Sequence, residues 1–163
     1  MSGIYIHIPY CKKACHYCNF HFSTNQNSKT SFIKAISKEL QLRSSEYRSQ
    51  EIQTIYFGGG TPTVLEVSEL TSILDVVYEV YNVSPAPEIT LEANPDDLDL
   101  EKIKALSKTK INRLSIGIQS FHETDLLAMN RAHNANEAKK CLEVATKYFD
   151  NITIDLMFGM PTM

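Results

Sequence analysis

Cys11, Cys15 and Cys18 fall within eight residues, in the spacing C-x-x-x-C-x-x-C. Thiolates this close together suit a soft metal centre, because they select iron-sulfur, zinc or copper(I) over magnesium or calcium. A cubane iron-sulfur cluster takes four thiolates when fully ligated, so three leave one iron with an open position where a ligand can bind. The same three thiols with His7, His16 or His21 would instead complete a Cys3His zinc site, an ordinary tetrahedral structural set. Disulfides are the remaining option for a chain with four cysteines. They belong to secreted proteins, and Met1-Ser2-Gly3-Ile4 lacks the basic and apolar regions of a secretory signal, so the expected compartment is the cytoplasm.

Other chemistry-bearing groups stand further along. Gly58-Gly59-Gly60-Thr61-Pro62-Thr63 lacks the spacing of a dinucleotide fingerprint and has no lysine placed as in a phosphate loop, which disfavours nucleotide phosphate binding. Its glycines offer bare backbone that a ligand can approach closely, or serve only as a tight strand-to-helix turn. Glu92-Ala93-Asn94-Pro95, Gln119-Ser120 and Asp155 each close an apolar run. Asp155 lies between Ile154 and Leu156 in a strand expected to be buried, where an unpaired carboxylate is costly, which favours a specific partner. Cys141 falls on the apolar face of a helix and reads as a small hydrophobe outside any site. His133 reads as a loop residue or a contact to a large ligand, with the loop reading favoured.

The elements that must position these groups alternate in period. Strands are expected at Ile4–Ile8, Thr54–Phe57, Glu88–Glu92, Arg113–Ile118 and Asn151–Leu156. Between them, Phe32, Ile33, Ile36 and Leu40 share one helical face, as do Leu70, Ile73, Leu74, Val77 and Tyr81. Leu100, Ile103 and Leu106 follow a cap at Asp99, and Ala138, Cys141, Leu142, Ala145 and Phe149 follow a cap at Asn134 or Asn136. Repeated β-α units argue for an α/β fold with a parallel sheet, in which the groups that do chemistry gather at the carboxyl ends of the strands. Every motif above sits just after, or near the end of, one of the five strands.

Composition bounds the setting. With 163 residues, 43% apolar and 21% charged, the chain matches one globular domain. A net charge of -3 and the lack of basic runs argue against nucleic acid, and the apolar stretches are strand-sized, so no integral membrane segment is expected.

Taken together, Tyr5-Ile6-His7-Ile8-Pro9-Tyr10-Cys11, Cys15-His16-Tyr17-Cys18 and Phe57-Gly58-Gly59-Gly60-Thr61-Pro62-Thr63 resemble the radical S-adenosylmethionine superfamily. The resemblance is to the branch of oxygen-independent coproporphyrinogen III oxidase and the HemW-type haem chaperones. It extends through Glu92-Ala93-Asn94-Pro95, Leu114–Phe121, Asn130-Arg131-Ala132-His133 and Asp155–Pro161. It implies a partial parallel (β/α) barrel, in which Cys11, Cys15 and Cys18 hold a 4Fe–4S cluster and the open iron binds S-adenosylmethionine. One electron then cleaves the sulfonium to a 5′-deoxyadenosyl radical. By the same resemblance Tyr17 lies against adenine, Gly59, Gly60 and Thr61 serve the methionine part, and Tyr5 lies near the cluster. Glu92, Gln119, Arg131 and Asp155 match family positions that hold the cofactor, Arg131 as a fork suited to a carboxylate. No residue is assigned a catalytic role.

Within the branch, Asn19-Phe20 stands where the oxidases carry a further cysteine, and Asn19-Phe20-His21-Phe22 is more similar to the haem chaperones. The resemblance therefore implies haem or porphyrin and an electron donor as partners, with coproporphyrinogen III dehydrogenase activity as the alternative. These families continue through a sixth strand into a carboxyl-terminal domain. Residues 1–163 are accordingly expected to be a fragment of the radical SAM core with about five strands. Its fifth strand would form an exposed edge, favouring self-association or a mobile cysteine loop.

Overall fold

A computed structural model describes residues 2–160. Five parallel strands form one sheet in the order β1-β2-β3-β4-β5: β1 Ser2–Ile8, β2 Glu51–Gly59, β3 Asn82–Ala93, β4 Arg113–Gln119 and β5 Ile152–Leu156. The expected α/β class holds, and each expected strand is present. Parallel pairing needs crossovers, and they carry α1 (Lys29–Arg43), α2 (Val67–Val80), α3 (Leu100–Leu106), α4 (Glu123–Ala128) and α5 (Ala135–Ala145).

Strand alternation decides which face does what. Ile6, Ile8, Ile55, Phe57, Ile89, Leu91, Leu114, Ile116 and Ile118 are buried in one core with Leu70, Ile73, Leu74, Val77, Ile103 and Leu106 of the helices. Each such side chain contributes about 1.5–3 kcal/mol on full burial. The opposite face is polar: His7 pairs in register with Gly58, Glu92 with Ser115, and Ser115 with Thr153. Because side chains alternate with a period of two, one strand both holds the core and aims a polar group the other way.

Helix starts follow local chemistry. Asp99 Oδ1 accepts the Lys102 N–H at 2.7 Å, and Asn134 Oδ1 accepts that of Glu137 at 2.9 Å while Glu137 returns a bond to Asn134 N. Asn134, not Asn136, is therefore the cap of α5. Ser28 precedes α1 without capping it, and its hydroxyl bonds instead to Tyr10 OH at 2.8 Å.

One helix was not anticipated, and two expectations need correction. The segment Glu123–Ala128 is helical, although with six residues it is too short for its apolar period to register in the sequence. Strand β3 begins at Asn82, despite Pro85 and Pro87. Pairing passes from Ile52↔Val83 to Thr54↔Glu88, so both prolines sit in a bulge where no ladder N–H is needed. Asp155 is not buried: β5 is exposed along most of its length, with Ile154 37% and Leu156 54% accessible, because among the described residues nothing pairs with its outer edge. The desolvation argument for a partner of Asp155 therefore does not apply. Pro161, which closes the last motif, lies outside the described residues. Among those residues no helix is long and apolar enough to cross a membrane.

Candidate functional site

A cavity of about 190 Å3 opens at the carboxyl ends of the strands. Cys11, Cys15 and Cys18 line it, together with Gly59, Gly60 and Thr61 from the end of β2, Glu92 from β3, Gln119 from β4 and Asp155 from β5. Arg131 and Tyr17 complete the wall. Of the expected site residues only Tyr5 is absent from it. Tyr5 stands one layer below, 58% exposed, stacked on Tyr56 with ring centroids 5.9 Å apart and its hydroxyl 3.2 Å from His7 Nδ1.

The cysteine loop is bonded to the sheet on its first side. Cys11 N–H donates to Ser23 O at 3.0 Å, Gly60 N–H to Ile8 O at 2.8 Å, and Thr61 N–H to Tyr10 O at 2.7 Å. Thr61 Oγ1 donates to Cys11 Sγ at 3.4 Å. Burial pushes the Cys11 thiol above its ordinary value, against the Thr61 hydroxyl, which favours the thiolate. Lys12 extends across to the turn after β3, pairing with Asp97 and with Asp96 Oδ2 at 3.2 Å. The two partners of the Lys12–Asp97 pair respond differently. Asp97 is buried and desolvation still holds its carboxyl above the usual range, whereas Lys12 is half exposed and its carboxylate partners outweigh its own desolvation, so its ammonium is favoured.

Gly60 is required by close approach. A Cβ there would lie 2.7 Å from Tyr10 O, 3.0 Å from Ile8 O and 3.0 Å from Cys11 Sγ, two of them backbone atoms that cannot yield. Gly60→Ala is expected to cost about 1–3 kcal/mol through overpacking and to displace Cys11. A urea titration reads the first effect, and iron retention after reconstitution reads the second.

Arg131 is 9% exposed and ties four segments together. Nη1 donates to Cys15 Sγ at 3.5 Å and to Tyr17 OH at 3.2 Å, and Nη2 donates to Asn94 Oδ1 at 2.7 Å and to Gly117 O at 2.6 Å. Its remaining N–H, at Nε, is buried without a partner among the described residues. The fork expected to grip a ligand carboxylate is therefore already engaged, and its charge lies against a thiol. Burial pushes the Tyr17 phenol up to about 12, although Arg131 pulls the other way.

Glu92 is engaged too. Oε1 accepts from Tyr56 OH at 2.7 Å and Oε2 from the Gly59 N–H at 3.0 Å, so the carboxylate pins the glycine turn. Burial, then the bond to Glu92, pushes the Tyr56 phenol up to about 12. Gly59 itself has φ +115°, a conformation that favours glycine.

Gln119 and Asp155 differ from these. Neither side chain has a hydrogen-bond partner among the described residues, and both face the cavity. Gln119 has φ 67°, and Ser120 N–H closes an i→i+2 bond onto Ile118 O at 2.9 Å, a strained turn that breaks the pairing between Gly117 and Gln119. Strain of this kind is worth about 1–3 kcal/mol and concentrates at functional sites. Gly117 leaves room for the Gln119 amide, since a Cβ there would lie 3.1 Å from Nε2.

Sequence reasoning missed Asn94, which accepts from Arg131 and donates to Thr61 Oγ1 at 3.1 Å, and it missed Lys12. Asn94 stood inside a strand-end motif, and that position was the available signal; Lys12 carried none beyond lying between the cysteines. His133 is a loop residue as expected, but a buried one, with Nε2 3.1 Å from Ile118 O.

The donor set fits a soft metal centre. Cys11, Cys15 and Cys18 are free, partly exposed and turned to one cavity, with a hydroxyl and a guanidinium donating to two of the sulfurs. Among the described residues no three His, Cys, Asp or Glu side chains are gathered closely enough to hold one metal ion. His16 Nδ1 lies 2.9 Å from Ala128 O.

A five-stranded parallel sheet with three free thiols at its carboxyl rim defines an α/β protein with a candidate soft-metal centre. The sequence pattern of the Radical SAM superfamily matches residues 5–163, and the chain belongs to that superfamily. Membership implies a 4Fe–4S cluster and S-adenosylmethionine. The chain is 37% identical over 164 residues to the heme chaperone HemW of Bacillus subtilis, covering 99% of this chain and 43% of that protein. It is 36% identical over 161 residues to the heme chaperone HemW of Buchnera aphidicola, with coverage of 98% and 43%. The solved structure of coproporphyrinogen III oxidase HemN from Escherichia coli superimposes with a TM-score of 0.90 at 26% identity, covering 99% of this chain and 38% of that one. The chain thus spans less than half the length of the relatives it matches.

Proposed function

We propose that residues 1–163 form the cofactor-binding core of a HemW-type haem chaperone, with Cys11, Cys15 and Cys18 holding the cluster. The observation that carries this reading is the convergence of three unbridged thiols on one cavity, with Thr61 and Arg131 donating to sulfur. When bound, the cluster supplies one-electron chemistry and an open iron for the amino and carboxylate groups of S-adenosylmethionine. The chain's own residues divide the remaining work. Glu92 and Arg131 fix the wall, Gly59, Gly60 and Thr61 present backbone and hydroxyl groups, and Tyr17 covers one side. The unengaged amide of Gln119 and carboxylate of Asp155 are the groups left to take ribose hydroxyls or an ammonium. Tyr5 acts from one layer below, beside Glu92.

Asn19-Phe20 after Cys18, and the two chaperones to which the chain is 36% and 37% identical, favour haem delivery over coproporphyrinogen decarboxylation. Haem or porphyrin, an electron donor and a cytoplasmic setting belong to this proposal, as does a longer chain that continues the core. The exposed edge of β5 supports self-association of residues 1–163 taken alone. The test is anaerobic reconstitution of the full-length protein, followed by haem titration and an assay for coproporphyrinogen decarboxylation. Stoichiometric haem uptake without decarboxylation is expected. Decarboxylation without haem uptake would replace this reading with the oxidase one.

A further inference from the structure

The second half of the cysteine loop is docked on the end of α4, a helix absent from the sequence-level reading. His16 N–H donates to Met129 O at 3.0 Å, and the His16 ring, through Nδ1, to Ala128 O at 2.9 Å. Asn130 Nδ2 donates to Ala14 O at 2.7 Å, and Lys13 Nζ to Arg131 O at 3.3 Å. Arg131 adds its contacts to Cys15 Sγ and Tyr17 OH. Four consecutive residues, 128–131, therefore contact every residue from 13 to 17.

The segment owes its shape to Asn130. Its φ is 57°, in the left-handed region that asparagine tolerates better than other residues with a side chain. Met129 N–H closes onto Asp125 O at 2.8 Å and Arg131 N–H onto Leu126 O at 2.9 Å, so α4 ends in a left-handed cap. The reversal at Asn130 turns the Ala128 and Met129 carbonyls, left unpaired by the end of the helix, toward His16, and returns the chain so that Arg131 enters the cavity wall. One residue thus sets both the acceptors for His16 and the entry of Arg131, while its own amide holds Ala14.

We infer that Asn130 is a positioning residue for the metal site: its left-handed conformation and its bond to Ala14 O make the end of α4 a latch that forms the loop around Cys15 before any metal binds. The latch is distinct from the anchorage on the Cys11 side, which runs through Lys12, Asp96 and Asp97. Only its consequence for iron depends on the cluster reading above. The docking of the loop does not.

Hydrogen exchange on the metal-free chain separates the two. In the wild type the His16 amide is expected to exchange at least tenfold slower than an unstructured amide, because it donates to Met129 O. Asn130→Ala loses the side-chain bond and strains the left-handed residue, and should speed His16 exchange by about tenfold while leaving the amides of β2 and β3 unchanged. Asn130→Gly keeps the conformation and loses only the amide, so it should fall between the two and remain folded. In reconstituted protein the same order should appear in the rate of iron loss to a chelator. Unprotected His16 in the wild type, or Asn130→Ala and Asn130→Gly both exchanging like the wild type, would overturn the latch. Ordered exchange rates without any iron retention would uphold the latch and contradict the cluster reading instead.

Discussion

Replacing Cys11, Cys15 and Cys18 together by Ala is expected to abolish iron and sulfide binding, with the brown colour and broad visible absorption of the reconstituted protein, while leaving the fold in place. The thiols are partly exposed and lie outside the core, which is formed by the inner faces of the strands and α1, α2, α3 and α5. Their removal takes one acceptor each from Thr61 and Arg131 but leaves the core intact, and should cost about 1–2 kcal/mol. Cys141, whose thiol burial pushes up to about 11, offers no substitute ligand because it is buried on its helix. Iron and sulfide analysis beside a circular-dichroism melt distinguishes loss of the site from loss of the fold. An unchanged metal content in the triple variant would remove the three thiols from the metal site.

Arg131→Met is expected to have the opposite balance: a large loss of stability as well as loss of the site. The substitution strips Gly117 O, Asn94 Oδ1, Tyr17 OH and Cys15 Sγ of a donor at once. A buried acceptor left unsatisfied costs about 1–3 kcal/mol, and Gly117 O, whose bond to Arg131 is buried, is the least able to find water. A total of about 3–5 kcal/mol is expected, comparable with breaking a buried charged network. Arg131→Lys should recover less than half of it, since one ammonium on a flexible stem cannot reach Asn94 after β3, Gly117 O on β4 and the cysteine loop together. Denaturant midpoints of the two variants against wild type test this. If Arg131→Met costs less than about 1 kcal/mol, Arg131 is a free ligand-binding fork, not a tie.

The contrast between Arg131 and Asp155 marks where the sequence is legible and where it is not. The strands, four of the five helices and the gathering of motifs at one rim follow from period and from parallel topology, and the structure has them. The environment of each polar residue does not follow, because it depends on contacts made across the sheet. Arg131, whose charge gives no hint of burial in the sequence, is buried because Asn94 and Gly117 O lie opposite it. Asp155, flanked by apolar neighbours, is exposed because β5 is an edge. The same limit hid α4, whose six residues carry too little periodicity, and the prolines of β3, which are tolerated only through a bulge in the pairing with β2. Asn94 shows the intermediate case: its motif was visible, but its bonds to Arg131 and Thr61 required the neighbouring strand ends to be in place.

Iron, acid-labile sulfide and zinc counted per chain, in full-length protein purified without air, decide most directly whether the amino-terminal thiols hold a cubane. About four irons and four sulfides per chain, with no stoichiometric zinc, is the expected result. One zinc per chain without sulfide would contradict it.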